Sequence, residues 1–476
     1  MIDTVALKSA IIDLAVNGQL SSQFHTTDSV ADIIAALPPL SIKRKRLIGQ
    51  SFDYGKQATL PKHWKWIRLG ELSSYGDTPK KVNFDDVSGD TWILDLEDIQ
   101  SGGRIIEKAR VNDKKFIGDK TVFYKGQVLY SKLRPYLKKV LVADEDGVST
   151  PELISFDVFG GISPQYIMYC LLSSFTDRAI EKRSYGIKMP RVDAGFMVNL
   201  PIPVPPLSEQ YFIVERIESA ILQIDTIDKL QAQYADNLTA LKSKLIDAAI
   251  QGKLTKQIPE DGTAEELFQQ IQAEKQRLIS EGKIKKEKPL PEISEEEIPF
   301  DIPDNWKWVR LNGISLKITD GTHHSPPNSS EGDYMYVTAK NIKESGVNLD
   351  NITFVSKDIH QEIYSRCNPE IGDVLLIKDG ATTGVTTVND IKEPFSMLSS
   401  VALIKTMPRI EPWYIVYALR SSWFYSYIRG EMTGVGITRV VLKQINSFIV
   451  PLPPLAEQKR IVQKLEQILP LCEIKN

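Results

Sequence analysis

The phrase PVPPLSEQ, Pro203 to Gln210, returns 248 residues later as PLPPLAEQ, Pro451 to Gln458, each time ahead of a helical pattern. It is not an isolated echo. LKSAIIDLAVNGQLSSQ (Leu7 to Gln23) aligns with LKSKLIDAAIQGKLTKQ (Leu241 to Gln257) at nine of seventeen positions. LPKHWKWIRLGEL (Leu60 to Leu72) matches IPDNWKWVRLNGI (Ile302 to Ile314), and YIMYCLLSS (Tyr166 to Ser174) matches YIVYALRSS (Tyr414 to Ser422). An internal repeat of this length means that one chain encodes two similar halves. Between the anchors similarity collapses, leaving scattered correspondences such as Gly126/Gly372, Lys132/Lys378 and Arg191/Arg439. A kept frame around diverged inserts suggests one scaffold holding two different readers. Arg191 and Arg439, which share a repeat position, are expected to serve the scaffold or a backbone contact.

The frame predicts a long helix from about Ser208 to Gln251, ~66 Å at ~1.5 Å per residue. Its seam positions alternate by four and three through Ile213, Ile217, Ala220, Ile224, Ile227, the polar Gln231, Tyr234, Leu238, Leu241, Leu245 and Ala248, the rhythm of a coiled coil with ten of eleven positions apolar. Pro205 and Pro206 precede it, and Gly252 follows as an expected left-handed cap. The repeat supplies a partner in two pieces. Ile461, Leu465, Ile468 and Cys472 match the start of the seam, and Thr4, Leu7, Ile11 and Leu14 its end, with Gly18 matching Gly252. The C-terminal and N-terminal segments are therefore expected to imitate one nicked helix, antiparallel to the central one, giving a pseudo-twofold molecule; two amphipathic termini packed elsewhere are the alternative.

The expected fold class is α+β: two target-reading inserts of mixed helix and strand, separated by long α-helices that form an antiparallel coiled coil. The division by residue is 1–59 for an N-terminal helical segment and linker, 60–200 for the first insert, 201–301 for the long helix and linker, 302–450 for the second insert, and 451–476 for a C-terminal helix. Runs such as TWILDL, GQVLYSKL, YMYVTA and GDVLLIKDG read as short strands, and PQYIMYCLLSSFTDRAIEKR as helix. The mixed-charge stretch from Lys283 to Glu297 reads as a solvated linker.

Composition narrows the function classes. No stretch approaches the run of apolar residues that a membrane span needs, and MIDTVALKSAIIDLAVNGQL lacks the pattern of a signal peptide, so a cytoplasmic location is expected. Cys170, Cys367 and Cys472 show no metal-ligand spacing and read as inert thiols. Nucleotide-binding, hydrolase and zinc-protease motifs are missing, as are the NPPY and DPPY motifs of amino-methyltransferases, and the adjacent His323 and His324 lack further ligands. No metal site and no catalytic residue is expected.

Binding is better supported than catalysis. Between Arg104 and Lys139 stand eleven Lys and Arg against three acids, in a chain whose net charge is −3. That density suits phosphates, and a solvated charged face is the other reading of the same run. Candidate DNA contacts in the first insert are Thr78, Lys80, Lys81, Arg104, Lys114, Lys115, Lys132, Arg134, Tyr136, Lys138 and Lys139. In the neutral second insert they are Thr322, His323, His324 and Lys340, with Lys378, Thr382 and Thr383 from KDGATTG, drawn from exposed-looking polar loops for which ordinary turns are the alternative.

The doubled PLPPLxEQ phrase, the WxWxRL opening of each insert (Trp64 to Leu69, Trp306 to Leu311), GKIKKEKPLP, SKLRPYLKKV and DGTHHSPP together resemble the specificity subunit of type I restriction-modification systems, over essentially the whole chain. The resemblance implies two target-recognition domains, each reading one half of a split asymmetric double-stranded DNA site, and helices that set the spacer between halves. It implies no catalysis by this chain. Two methyltransferase subunits using S-adenosylmethionine on adenine, and two ATP- and Mg-dependent restriction subunits, are the partners it implies; a coiled-coil scaffold without DNA readout, or a self-contained DNA-modifying enzyme, are the competing expectations.

Overall fold

The computed structural model describes residues 1–181, 183, 189–286, 288–430 and 439–474; Glu287 of the predicted linker and the last two residues of the C-terminal segment lie outside them. The chain forms two compact units, Met1–Ala232 and Gln233–Asn476. In each, an insert shares its hydrophobic core with the helical segments that flank it in sequence.

Each insert is closed by a two-stranded antiparallel ribbon that joins its two ends. Lys65–Arg68 pairs with Pro201–Val204, and Lys307–Arg310 with Ile449–Leu452 in the same register, so that Trp66 faces Pro203 and Trp308 faces Pro451. Proline cannot donate to a ladder, which confines such a strand to an edge or a ribbon of this kind. The first insert also holds a five-stranded and a three-stranded sheet; the second holds a four-stranded and a three-stranded sheet with a small ribbon. The helices Pro164–Leu172 and Pro412–Leu419 pack inside, and their tyrosines tie back to the ribbon: Tyr166 donates to the Pro203 carbonyl and Tyr414 to the Pro451 carbonyl, both at 2.7 Å.

The long helix runs unbroken over Leu207–Ile250, close to the predicted span. A shorter helix accompanies it in each unit. In the first, Thr4–Val16 runs antiparallel to the helix: Lys8 pairs with Asp225 at 2.5 Å, Thr4 bonds to Asp228, and the Ile2 amide donates to Gln231. In the second, Leu455–Ile468 contributes Ile461 and Leu465 to the same core as Ile246, Ala249 and Ile250. Gly18 and Gly252 adopt left-handed φ of 74° and 71°, and a Cβ on either would press within 2.5 Å of Pro61 or 2.3 Å of Pro303. Both glycines are therefore fixed by conformation and by close approach.

The continuous heptad seam needs correction. Ile213, Ile217, Ile224, Ile461 and Leu465 are buried, and Ile227, Leu238, Leu245, Ile468 and Ile11 are half-buried, but Tyr234 is 57% and Leu241 46% exposed, as Leu7 and Leu14 largely are. The partner helices have only 13 and 14 residues against 44. They also serve the domain cores, so Thr4–Val16 buries Ile12, Ala15 and Val16 beside Tyr166 and Ile167, a stripe of 3.6-residue period rather than a heptad seam.

Candidate nucleic-acid interface

The repeated phrase turns out to be a buried clamp. Pro205 and Pro206 end the closing strand, the long helix begins at Leu207, and its first turn carries Glu209 and Gln210 into the core. Glu209 accepts from Ser21 Oγ at 2.6 Å, Trp64 Nε1 at 3.1 Å and His63 Nε2 at 2.8 Å. Glu457 takes the same place in the second unit, accepting from Thr255, Gln257 and Trp306 Nε1 at 2.9, 2.8 and 2.9 Å. Gln210 donates to the Pro205 carbonyl and accepts from the Ser163 amide; Gln458 does likewise with Pro453 and Glu411. Each clamp joins the helix start, the tryptophan strand and the segment after the preceding helix, which orients an insert on its frame.

The basic run of the first insert is largely spent inside the protein. Lys114 lies against Asp95, Glu97 and Asp98, and Lys120 against Asp95. Burial works against the Asp95 charge, but these two lysines outweigh it and hold the carboxyl below its ordinary range. Lys132 faces Glu152 at 3.8 Å, Lys138 pairs with Asp177, and Lys139 donates to the Leu96 carbonyl at 2.6 Å. Lys81 pairs with Asp119 at 3.2 Å, and Thr78 accepts from Lys43 at 3.2 Å. Arg191 grips Glu152 through a fork at 2.9 to 3.3 Å, a scaffold role, and its guanidinium lowers the carboxyl's affinity for a proton.

Five candidates remain exposed without a side-chain partner among the described residues: Lys80, Arg104, Lys115, Arg134 and Tyr136. Arg134 stands out for its backbone. Both Arg134 and Lys138 are left-handed, at φ 48° and 49°, and they bracket the single turn Pro135–Leu137. Neither residue type adopts that region cheaply, and such strain persists only where the surroundings enforce it. Here the Arg134 amide donates to Pro190, Lys132 accepts from Val192, and Lys138 accepts from Gly102. The bracing displays Arg134 and Tyr136, the latter 62% exposed, beside the loop that carries Arg104.

Gly103 seats that loop. It has φ 87°, and a Cβ there would lie 1.8 Å from the Val140 carbonyl oxygen, which is backbone and cannot step aside. Gly103→Ala is expected to cost roughly 2 kcal/mol or more, and Gly102→Ala, at φ 85° but with open space around it, only the ~1 kcal/mol of conformation. Urea unfolding of the full chain measures both; equal losses would remove the close-packing argument.

The second insert corrects two candidates. Lys378 is only 5% exposed and lies against Asp320 and Asp379, at 3.5 and 3.2 Å. Thr383 is 2% exposed and donates to the Gly380 carbonyl. The loop folds inward because Gly384 donates back to Ile377 and the buried Asp320 needs a cation, so neither side chain is offered to a ligand. Thr322 uses its hydroxyl on the His324 backbone, and His323 leans on Arg366 and Asp320 at 3.1 and 3.5 Å. His324, Lys340 and Thr382 are exposed or partly so and unpaired through their side chains among the described residues.

Cys170 and Cys367 are buried thiols, each pushed up to about 12 chiefly by burial, while Cys472 is half-buried. Among the described residues no group of three or more His, Cys, Asp or Glu could hold a metal ion, and no helix is long and apolar enough to cross a membrane.

Comparison with known proteins places this architecture. The family described as the type I restriction modification DNA specificity domain matches residues 61–233 and again 303–476. The EcoAI specificity subunit of Escherichia coli is 24% identical, the match covering 98% of this chain and 89% of that protein. The MjaVIII specificity subunit of Methanocaldococcus jannaschii is 21% identical over 87% of this chain and 88% of its own length. Among solved structures, a chain from a type I R-M system superposes with a TM-score of 0.62 at 21% identity, covering 87% of this chain and 92% of that one. The HsdS subunit of Thermoanaerobacter tengcongensis gives 0.51 at 20% identity, covering 88% and 92%. With two copies of the domain filling most of its length, the chain belongs to the type I restriction-modification DNA specificity family and is a specificity subunit with two DNA specificity domains.

Proposed function

We propose that each domain reads one half of a bipartite, asymmetric site in double-stranded DNA and that the long helix sets the spacer between the halves. The observation that carries this is the contrast within the repeat: ribbon and tyrosine tie are duplicated bond for bond, and each glutamate clamp keeps its tryptophan and hydroxyl donors, while the exposed loops differ. A constant frame fixes where a reader sits, and the loops decide what it reads. The chain performs no catalysis of its own in this reading. It recruits two methyltransferase subunits, which hold S-adenosylmethionine and modify adenine, and two restriction subunits, which hold ATP and Mg; it acts in the cytoplasm.

Inserting one heptad into the exposed part of the long helix, between Ala232 and Ala240, tests the ruler. Seven residues add ~10.5 Å while nearly keeping the helical face. At ~3.4 Å per base pair, the spacer of the methylated motif is expected to grow by about three base pairs with both half-sites unchanged. Sequencing of methylated adenines in cells carrying the cognate methyltransferase reads the result, and altered half-site bases would sink the idea.

A further inference from the structure

The second insert lacks a surplus of positive charge, so its grip on DNA has to come from few phosphate contacts and more neutral ones. The sequence YMYVTAKNIKESGVNLDNITF supplies them. Strand Tyr334–Val337 ends at Thr338, and the chain is then held by the buried Asn341: its side chain accepts from the Thr338 amide at 3.0 Å and donates to the Asn348 carbonyl at 3.1 Å. Ser400 anchors the same wall, accepting from the Ala339 amide while its carbonyl takes the Lys378 amide.

This wall occupies the place that Leu96 to Arg104 occupies in the first unit. The framing bonds are equivalent: Lys132 to Glu152 and Lys378 to Ser400 through the backbone, Val192 to Lys132 and Val440 to Lys378, with bridges Leu133/Arg191 and Asp379/Arg439. In the first unit the wall abuts the strained Arg134–Tyr136 turn. In the second it borders an open cavity of about 730 Å³, lined by Asn328, Thr338, Lys340, Lys343, Asn351 and Thr353 among others. Asp350 at the rim is tied to the Asn348 side chain at 3.2 Å. Lys340 and Lys343 are exposed and unpaired among the described residues. Asn351 is exposed too, in the left-handed region at φ 55°, with its side-chain amide unpaired among the described residues.

We propose that this cavity is the base-reading site of the second domain, with Asn351 taking the edge of an adenine and Lys340 and Lys343 the flanking phosphates. Asparagine presents a donor and an acceptor side by side, which matches N7 and the N6 amino group of adenine in the major groove and no other base edge as well. The lysines, on a rigid wall, fix the register without carrying sequence information. The inference rests on the bipartite reading and adds the site and the base.

The test selects bound duplexes from a random-sequence DNA pool with the full chain and its variants. Asn351→Gly keeps the left-handed backbone but loses the amide. It is expected to lower the preference for adenine at one position of one half-site about five- to a hundredfold, leaving the other half and the spacer as they are. Asn351→Asp, similar in shape but only an acceptor, is expected to move that preference toward cytosine. Lys340→Ala with Lys343→Ala is expected to weaken all sequences alike and to flatten the salt dependence by about two contacts. If both Asn351 variants select the wild-type bases, the assignment is overturned while the bipartite reading stands. If the wild-type chain itself selects no two-part sequence, the bipartite reading fails and takes the assignment with it.

Discussion

Glu209→Ala is expected to destabilise the first unit by about 3–5 kcal/mol, a large share of a typical domain's stability. The side chain is almost wholly enclosed, and its removal strands three groups at once: the Ser21 hydroxyl, the Trp64 indole N–H and the His63 ring nitrogen. Each buried donor left without an acceptor costs roughly 1–3 kcal/mol, and Ser21 and Trp64 are both buried. His63 is half-exposed and can turn to water, so it adds little. Glu457→Ala is expected to cost less, because the Trp306 indole also reaches Gln257 Oε1 at 3.2 Å and keeps an acceptor when the carboxylate is gone. Glu209→Gln, which retains an acceptor of nearly the same reach, should recover about half the loss. Urea unfolding of the full chain, followed by tryptophan fluorescence, provides the comparison. A Glu209→Ala cost below ~1 kcal/mol, or equal costs at the two clamps, would show that the phrase is an ordinary helix start.

The duplication was legible because repeats expose themselves by identity, and it yielded the long helix within one residue at each end and the two capping glycines. The purpose of the phrase was not. Read along the chain, Glu209 is a polar residue in a first helical turn, where carboxylates are ordinary. Its burial depends on Trp64 and Ser21, 145 and 188 residues away. The signal was present only jointly, in a tryptophan and a glutamate that both recur in register. The seam leaves Tyr234, Leu241, Leu7 and Leu14 exposed for a related reason: a heptad rhythm gives apolar positions but not the length of the partner, and partners of 13 and 14 residues cannot cover 44. Local charge misled most. Acids outside the Arg104 to Lys139 window, namely Asp95, Glu97, Asp98, Glu152 and Asp177, fold back onto its lysines. Net charge over a window counts sequence neighbours, whereas phosphate affinity depends on cations with no neighbour in space.

That distinction separates the candidates of the first domain by experiment. Replacing Arg104, Arg134 and Tyr136 together with alanine is expected to lower affinity for the cognate duplex roughly a hundredfold at near-physiological salt. The two guanidiniums are unengaged among the described residues, and an exposed phenol between left-handed residues offers a flat face that contributes nothing to the core. Two lost phosphate contacts should also reduce the slope of log affinity against log salt by about 1.8. Lys114→Ala and Lys132→Ala are the counterparts, with the same formal charge change. Their ammonium groups already face Asp95, Glu97 and Asp98, or Glu152, so each release of a lysine leaves local acid uncovered and removes little free positive charge. Their joint effect on the slope is expected to stay below half that of the triple variant. Should Lys114 and Lys132 alter the slope as strongly as Arg104 and Arg134, the internal pairs must open on DNA, and the charged run would bind as a whole rather than through its three displayed side chains.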